Sequence, residues 1–308
     1  MHVVVTGATG LVGSALVPLL RRDGHVVTRF SRTASGPDVA HWDPAAGVLD
    51  VKALAGADAV VHLAGRSIGA LRWTAKVKRE IRQSRTTGTR LLAEAMAGLD
   101  SGPRVLVSSS GIHYYGERGD ELLTEASSPG EGFLAGVCQD WEAAAEPARA
   151  AGLRVVHVRT GVVQARGGAL RLQARLFNLG LGGRLGSGRQ WLSWVSLDDL
   201  VGIMRHAVVD EGVEGPLNAT APNPVTNAEF TATLARVLGR PALAHAPRFA
   251  LRLALGELAD ELLFTSIRAV PEATSASGYI FRSTELEPAL RRLLHHPAGP
   301  GRTSGGGP

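Results

Sequence analysis

Two short stretches of this sequence carry residues able to do chemistry. The first is Thr6-Gly7-Ala8-Thr9-Gly10-Leu11-Val12-Gly13, directly after the apolar run Val3-Val4-Val5. A strand that ends in glycines spaced three apart and then opens a helix makes a phosphate cradle. Gly7 permits a tight turn, Gly10 lets backbone approach a pyrophosphate, and Gly13 lets the helix pack closely on the sheet. Free N–H groups and the positive end of the helix dipole then face the anion, so Thr6, Gly7, Thr9, Gly10, Leu11, Val12 and Gly13 are candidate contacts. The second stretch is Ser108-Ser109-Ser110-Gly111-Ile112-His113-Tyr114-Tyr115, at the end of another predicted strand. Ser110 and Tyr115 offer hydroxyls to a reacting oxygen, and His113 offers an acid/base group that ordinarily titrates near neutrality. The plain alternatives are a serine bonded to local backbone, an exposed loop histidine and a packed tyrosine.

The end of the second predicted strand chooses the dinucleotide. A site for NAD places an acid there to accept from the ribose 2′-hydroxyl. Here the strand His25–Phe30 runs into Ser31-Arg32, with no acidic residue between Asp23 and Asp38. Arg32 pairs with a 2′-phosphate and Ser31 hydrogen-bonds it, so the cofactor expected is NADP.

Elements to hold these groups alternate along the chain as in a parallel sheet wrapped by helices. Strands are expected over 2–6, 25–30, 39–42, 58–63, 104–109 and 153–159, and helices over about 13–23, 73–97 and 133–151. Pro18 falls inside the first helix and should bend or weaken it. Residues 109–132 read as a long functional loop. The glycine-rich run 166–188 reads as a flexible crossover. Trp191 and Trp194 just beyond it line a cleft or pack a core, and Asp198-Asp199 start a helix. The expected division is a nucleotide domain over 1–165, completed by about 190–215, a C-terminal substrate or lid domain over 216–296, and a disordered tail over 297–308.

Composition sets limits. The chain has 308 residues, 44% of them hydrophobic and 20% charged, an ordinary globular balance. The net charge is +5 and the pI about 10.0, but arginines are scattered and no nucleic-acid module is visible. No apolar run reaches the length of a membrane span. Neither nucleic acid nor a membrane is an expected partner. One cysteine, Cys138, permits no internal disulfide and no cysteine-based metal cluster, and no metal is expected. With no basic leader before Val3-Val4-Val5, a reducing cytoplasm is the expected location.

More specific motifs narrow the reading. Leu63-Ala64-Gly65, Arg72-Trp73, Ser84-Arg85, Tyr114-Tyr115-Gly116, Asp140-Trp141-Glu142, Arg159-Thr160-Gly161, Ser193-Trp194 and the run from Asn218 to Asn227 resemble the "epimerase family protein" group of atypical extended short-chain dehydrogenases/reductases, over about residues 1–296. The resemblance implies an α/β fold, a Rossmann-type doubly wound parallel sheet with a smaller, mostly helical C-terminal domain. It also implies NADP contacts from Ser31, Arg32, Leu63, Ala64, Arg85 and Val163, with Gly65 at the same strand end.

The resemblance stops at catalysis. Short-chain dehydrogenases normally place Tyr-x-x-x-Lys on a helix, where the ammonium lowers the phenol pKa. Counting back from Glu142 puts Leu134 and Cys138 in those positions, and all three lysines, Lys52, Lys76 and Lys78, precede them. Two functions remain open. One is an NADP(H)-dependent oxidoreductase or epimerase on a small molecule, sugar-like or a carbonyl compound, using Ser110, His113 or Tyr115. The other is a non-catalytic NADP(H) sensor or scaffold. Oligomeric state stays open.

Overall fold

The computed structural model describes residues 1–33, 35–69 and 72–295; the expected tail lies outside them. Eight strands form the main sheet: β1 (His2–Thr6), β2 (Val26–Ser31), β3 (Val39–Asp43), β4 (Val48–Leu49), β5 (Ala59–His62), β6 (Val105–Gly111), β7 (Arg154–Thr160) and β8 (Gly215–Ala219). Their order is β8-β7-β6-β5-β1-β2-β3-β4. Every pairing is parallel except β3 with β4.

The central strands read as unbroken apolar runs because both faces are covered. Val3 and Val5 pack with Leu16, Leu20, Leu200 and Ile203 on one face. Val4 points the other way, to Leu92, Met96 and Trp42. The helices supplying these residues are α1 (Gly13–Arg22), α2 (Ala75–Ala97) and, later in the chain, Leu197–Val209. Pro18 stays inside α1 on its solvent face, where the carbonyl that loses its backbone partner is open to water. The expected long helix after residue 132 is two: α3 (Phe133–Ala143) and the short helix Glu146–Ala150.

Two expectations change in the second half. The glycine-rich crossover holds a helix, α4 (Gly168–Asn178), because Leu170 and Phe177 find a core with Trp194, Phe230, Leu234 and Leu290. The boundary expected at 216 runs through β8, the edge strand of the sheet. Beyond β8 the chain is mostly helical: α5 (Asn227–Leu238), α6 (Arg248–Leu255), a π-helical turn at Ala259–Phe264 and α7 (Leu286–His295). Thr226 and Glu229 cap α5 reciprocally and Gly239 ends it in the left-handed conformation. Trp194 is a core residue, fully buried. Ser196 caps the helix after it, with Asp198 and Asp199 in the first turn.

Candidate functional site

The order in which successive strands are added reverses between β1 and β5, which makes the crevice at their C-terminal ends the ligand position of such a sheet. The glycine turn sits there. Gly7 has φ of +65°, and a Cβ on it would lie 2.8 Å from the Leu63 carbonyl carbon. A Cβ on Gly13 would lie 2.4 Å from the Gly7 oxygen. Both glycines are demanded by the fold itself. Gly10 differs, since a Cβ there meets only the Gly7 oxygen at 3.3 Å and otherwise projects into a cavity of about 320 Å³. Its smallness leaves room for a ligand. Helix α1 has no side-chain cap and no acid in its first turn; the Ser14 N–H goes back to the Gly10 carbonyl at 2.9 Å, so the N–H groups offered to an anion are those of Leu11, Val12 and Gly13.

The cavity gathers Gly7, Thr9, Gly10, Ser31, Arg32, Leu63, Ala64 and Gly65. Among the described residues no carboxylate lines it. Arg29, on the same wall, is held by Asp38 at 2.9 and 3.0 Å. That hydrogen bonding pulls the Asp38 carboxyl down to about 2. Arg32 is exposed and pairs with no carboxylate among the described residues. A second cavity of about 680 Å³ adjoins the first across Arg32, Trp42, Ala64 and Gly65.

The remaining expected contacts stand around this cavity rather than on its wall. Leu11, Val12 and Gly13 lie on the turn into α1. The Arg85 guanidinium lies behind Gly65, where a Cβ would touch it at 3.5 Å, and over the Trp141 ring at 4.9 Å. Val163 pairs with Val195 in a short parallel ladder and packs on the core; the structure does not bring it into the cavity.

Thr6 supports the cavity from beneath. Its hydroxyl accepts from the N–H groups of Leu63 and Ala64, each at 3.1 Å. It therefore donates to His62 Nδ1, 2.8 Å away. This fixes the His62 tautomer with its proton on Nε2, toward Gly88 and Trp42. His62 is fully buried, and burial lowers its pKa from 6.5 to about 3. Because the folded value lies below the unfolded one, this neutral histidine stabilises the fold fully above pH 6.5 and progressively less as pH falls toward 3. At about 1.36 kcal/mol per unit the loss reaches roughly 4–5 kcal/mol. Urea midpoints measured from pH 7 to pH 4 should fall, and His62→Asn should flatten that slope.

At the end of β6 the second group of residues is placed differently from expectation. Tyr115 is completely buried. Its hydroxyl donates to Asn218 Oδ1 at 2.8 Å and accepts from Arg159 Nη1 at 3.0 Å, and burial pushes it up to about 12. This corrects the expectation for Tyr115: both of its hydrogen-bonding roles are taken inside the protein. Ser110 is also nearly buried, and its hydroxyl donates to Glu142 Oε1 at 2.7 Å. His113 is half-buried, not an exposed loop residue, and lines a separate cavity of about 400 Å³ with Glu117, Glu131, Arg248 and Glu261. Burial lowers its pKa from 6.5 to about 4. It is neutral at pH 7 and suited to accept a proton rather than to supply one. Cys138 is buried against Ser110 and Gly111, and burial raises its thiol to about 12, so it behaves as a small apolar side chain.

Residues that sequence reasoning passed over complete the site. Glu142 is held by Arg159 through Nε–Oε1 at 2.9 Å and Nη2–Oε2 at 2.8 Å. Glu125 accepts from the backbone N–H groups of Asn218, Ala273 and Thr274. From the C-terminal unit, Glu261 accepts from the N–H groups of Phe133 and Leu134 at 3.1 and 3.0 Å, which caps α3. Glu257 takes Lys78 at 2.7 and 2.9 Å. Trp191 joins the 112–123 segment through Asp120 at 2.8 Å. Only the acidic pattern Asp140-Trp141-Glu142 facing Arg159 was available as a signal, and the two are 17 residues apart.

Residues 3–218 match the model of the NAD dependent epimerase/dehydratase family. The chain belongs to that family. Residues 246–293 match a domain of unknown function, DUF1731. Within the family, the chain is 44% identical over 290 residues to the epimerase family protein Mb2239 of Mycobacterium bovis, covering 94% of this chain and 96% of that one. The crystal structure of human epimerase family protein SDR39U1 with NADPH superposes with a TM-score of 0.86 at 36% identity, covering 96% and 99% of the two chains. The nucleoside-diphosphate sugar epimerase from Corynebacterium glutamicum gives a TM-score of 0.80 at 40% identity, with 96% of this chain matching 58% of that chain. The large parallel sheet, the flanking helices and the helical C-terminal region are those of this epimerase family. Among the described residues no helix is long and apolar enough to cross a membrane, and no group of three His, Cys, Asp or Glu side chains is placed to hold a metal ion.

Proposed function

We propose that this family member binds NADP(H) in the crevice between β1 and β5 and acts as an oxidoreductase or epimerase on a small hydroxyl-bearing or carbonyl molecule. The observation that carries the cofactor reading is the joining of Gly10 and Arg32 in one cavity with no carboxylate on its wall. Thr9, Gly10 and the N–H groups of Leu11, Val12 and Gly13 would hold the pyrophosphate. Ser31 and Arg32 would hold the 2′-phosphate, Leu63 to Gly65 the adjoining ribose, and Arg85 would face the cofactor from behind Gly65. The bound nicotinamide supplies hydride chemistry. The relative solved with NADPH supports the cofactor, and the relative described as a sugar epimerase supports a sugar-like substrate.

The substrate's place is the end of β6, between Ser110 and His113, under the C-terminal unit that Glu261 holds to α3 and Glu257 holds to Lys78 of α2. A second reading, an NADP(H) sensor or scaffold without turnover, rests on one observation: Leu134 and Cys138, at the positions of the usual Tyr–Lys pair, are both buried and offer no proton relay.

NADPH should bind at least about tenfold tighter than NADH. A charge-assisted phosphate contact contributes ~1.5–3 kcal/mol and tenfold requires ~1.4. Arg32→Ala should remove most of that preference. Fluorescence titrations giving the wild-type chain equal affinities for the two cofactors would refute the assignment.

A further inference from the structure

The polarity of Ser110 is set by its neighbours. Its hydroxyl proton goes to Glu142 Oε1 at 2.7 Å. That carboxylate is gripped on both oxygens by Arg159, whose side chain is only 4% exposed. Arg159 is itself fixed, since its Nη1 donates to the Tyr115 hydroxyl and Tyr115 passes its proton on to Asn218. Asn218 in turn donates from Nδ2 to the Val270 carbonyl. Arg159 Nη1 also donates to the Glu125 carbonyl at 3.3 Å, so the guanidinium is anchored on both sides and the row runs in one direction from Arg159 through Tyr115 to Asn218. The β5–β6 ladder ends with Ser108 beside His62, so Ser110 follows by two residues on one strand as Ala64, which lines the cofactor cavity, does on the other.

We propose that the Glu142–Arg159 pair turns the Ser110 proton away from the cleft, so that Ser110 meets its ligand only as a hydrogen-bond acceptor and the site selects a substrate bearing a hydroxyl or N–H over one bearing a carbonyl oxygen at that point. The inference rests on the reading of the β6 end as the substrate's position. Glu142 acts here as a positioning residue. The buried guanidinium holds it bidentately, and Oε1 accepts from Ser110 as well. The other group against Ser110 is the Cys138 thiol. Burial keeps it protonated, so it is a weak donor to Ser110, and its sulfur is a far weaker acceptor for the Ser110 proton than the Glu142 carboxylate. A serine that points its proton inward leaves one lone pair for the ligand. A carbonyl oxygen placed there would set acceptor against acceptor, and a buried acceptor without a donor is costly.

Neutron diffraction from the full chain crystallised with NADPH in deuterated solvent tests this directly. The expected result is a deuteron on Ser110 Oγ directed at Glu142, with both Glu142 oxygens bare. A deuteron directed into the cleft, or carried on Glu142, would overturn the proposal. Nicotinamide density placed away from Ser110 would instead remove the functional reading, while the deuteron still reports the polarity. A second measurement uses cyclohexanol and cyclohexanone as probes in ligand-observed NMR on the NADPH-bound chain. The alcohol should be retained at least about tenfold better. In the paired variant Glu142→Leu with Arg159→Met, which frees the Ser110 proton, the ratio should fall to near one. A wild-type preference for the ketone, or a ratio unchanged in the pair variant, would overturn it.

Discussion

Arg159→Met alone should cost the fold about 3–5 kcal/mol, the range for removing one partner of a buried ion pair. The loss should appear as a lower urea midpoint with an unchanged slope. Arg159 is almost fully buried and Glu142 nearly so. Burial by itself would lower the Arg159 pKa, and the Glu142 hydrogen bonds outweigh it and raise the value instead. Without the guanidinium, Glu142 keeps a buried charge whose remaining partner is the Ser110 hydroxyl. Tyr115 loses a donor at the same time. Glu142→Leu together with Arg159→Met should recover most of the loss, because an apolar pair of similar volume needs no charge solvation. If the single and double variants unfold at the same midpoint, the stability lies in packing around Trp141 and the Tyr114 ring, over which Arg159 stacks at 3.5 Å, and not in the pair.

How much of this was legible in the sequence depends on the range of the interaction. The glycine turn, β1 and α1 are local, and Val3-Val4-Val5 followed by three spaced glycines specifies them within about a dozen residues. The strand end that carries Ser31 and Arg32 is local in the same way, since it needs only the strand before it. Long-range pairings were not legible. Ser110 and Glu142 are 32 residues apart, Tyr115 and Asn218 are 103 apart, and Leu134 and Glu261 are 127 apart. Nothing in the spacing of a serine announces which carboxylate will take its proton. Burial misled in the same way. His113 and Tyr115 sit in a stretch that reads as a long functional loop, in which a packed tyrosine was only the alternative, yet Ile112, Tyr115, Leu123 and Ile267 form a small core of their own. The helix α4 was hidden by the glycines around it. Its apolar residues Leu170 and Phe177 have meaning only once Phe230 and Leu234 stand opposite.

Proton handling should depend on the end of β6 and not on α3. Removing an acid/base or orienting hydroxyl group typically costs ~10²–10⁴ in rate. Once a turnover assay is in hand, Ser110→Ala or His113→Ala should show a loss of that size. Cys138→Ala should stay within a few-fold of wild type, since the thiol is buried beside Ser110 and Gly111 and held protonated. Tyr115→Phe should behave as a core variant. It removes the hydrogen bond to Asn218, which costs stability of about 1 kcal/mol, and leaves the rate near wild type. The pH profile separates the two active candidates. His113 is neutral down to about 4, so if it accepts the proton, kcat/KM should be flat from pH 7 to about 5 and fall below 4 as the imidazole becomes charged. In His113→Ala that limb should vanish, whereas Ser110→Ala should lower the whole profile without moving it. A large loss from Cys138→Ala, with Ser110→Ala and His113→Ala unaffected, would shift the chemistry to α3. Absence of turnover across alcohols, carbonyls and nucleotide sugars, together with NADPH-dependent association with a protein partner, would favour the sensor. In that case the inward-facing proton of Ser110 and the buried Tyr115 are what remains when the groups of a catalytic site are absorbed into the core.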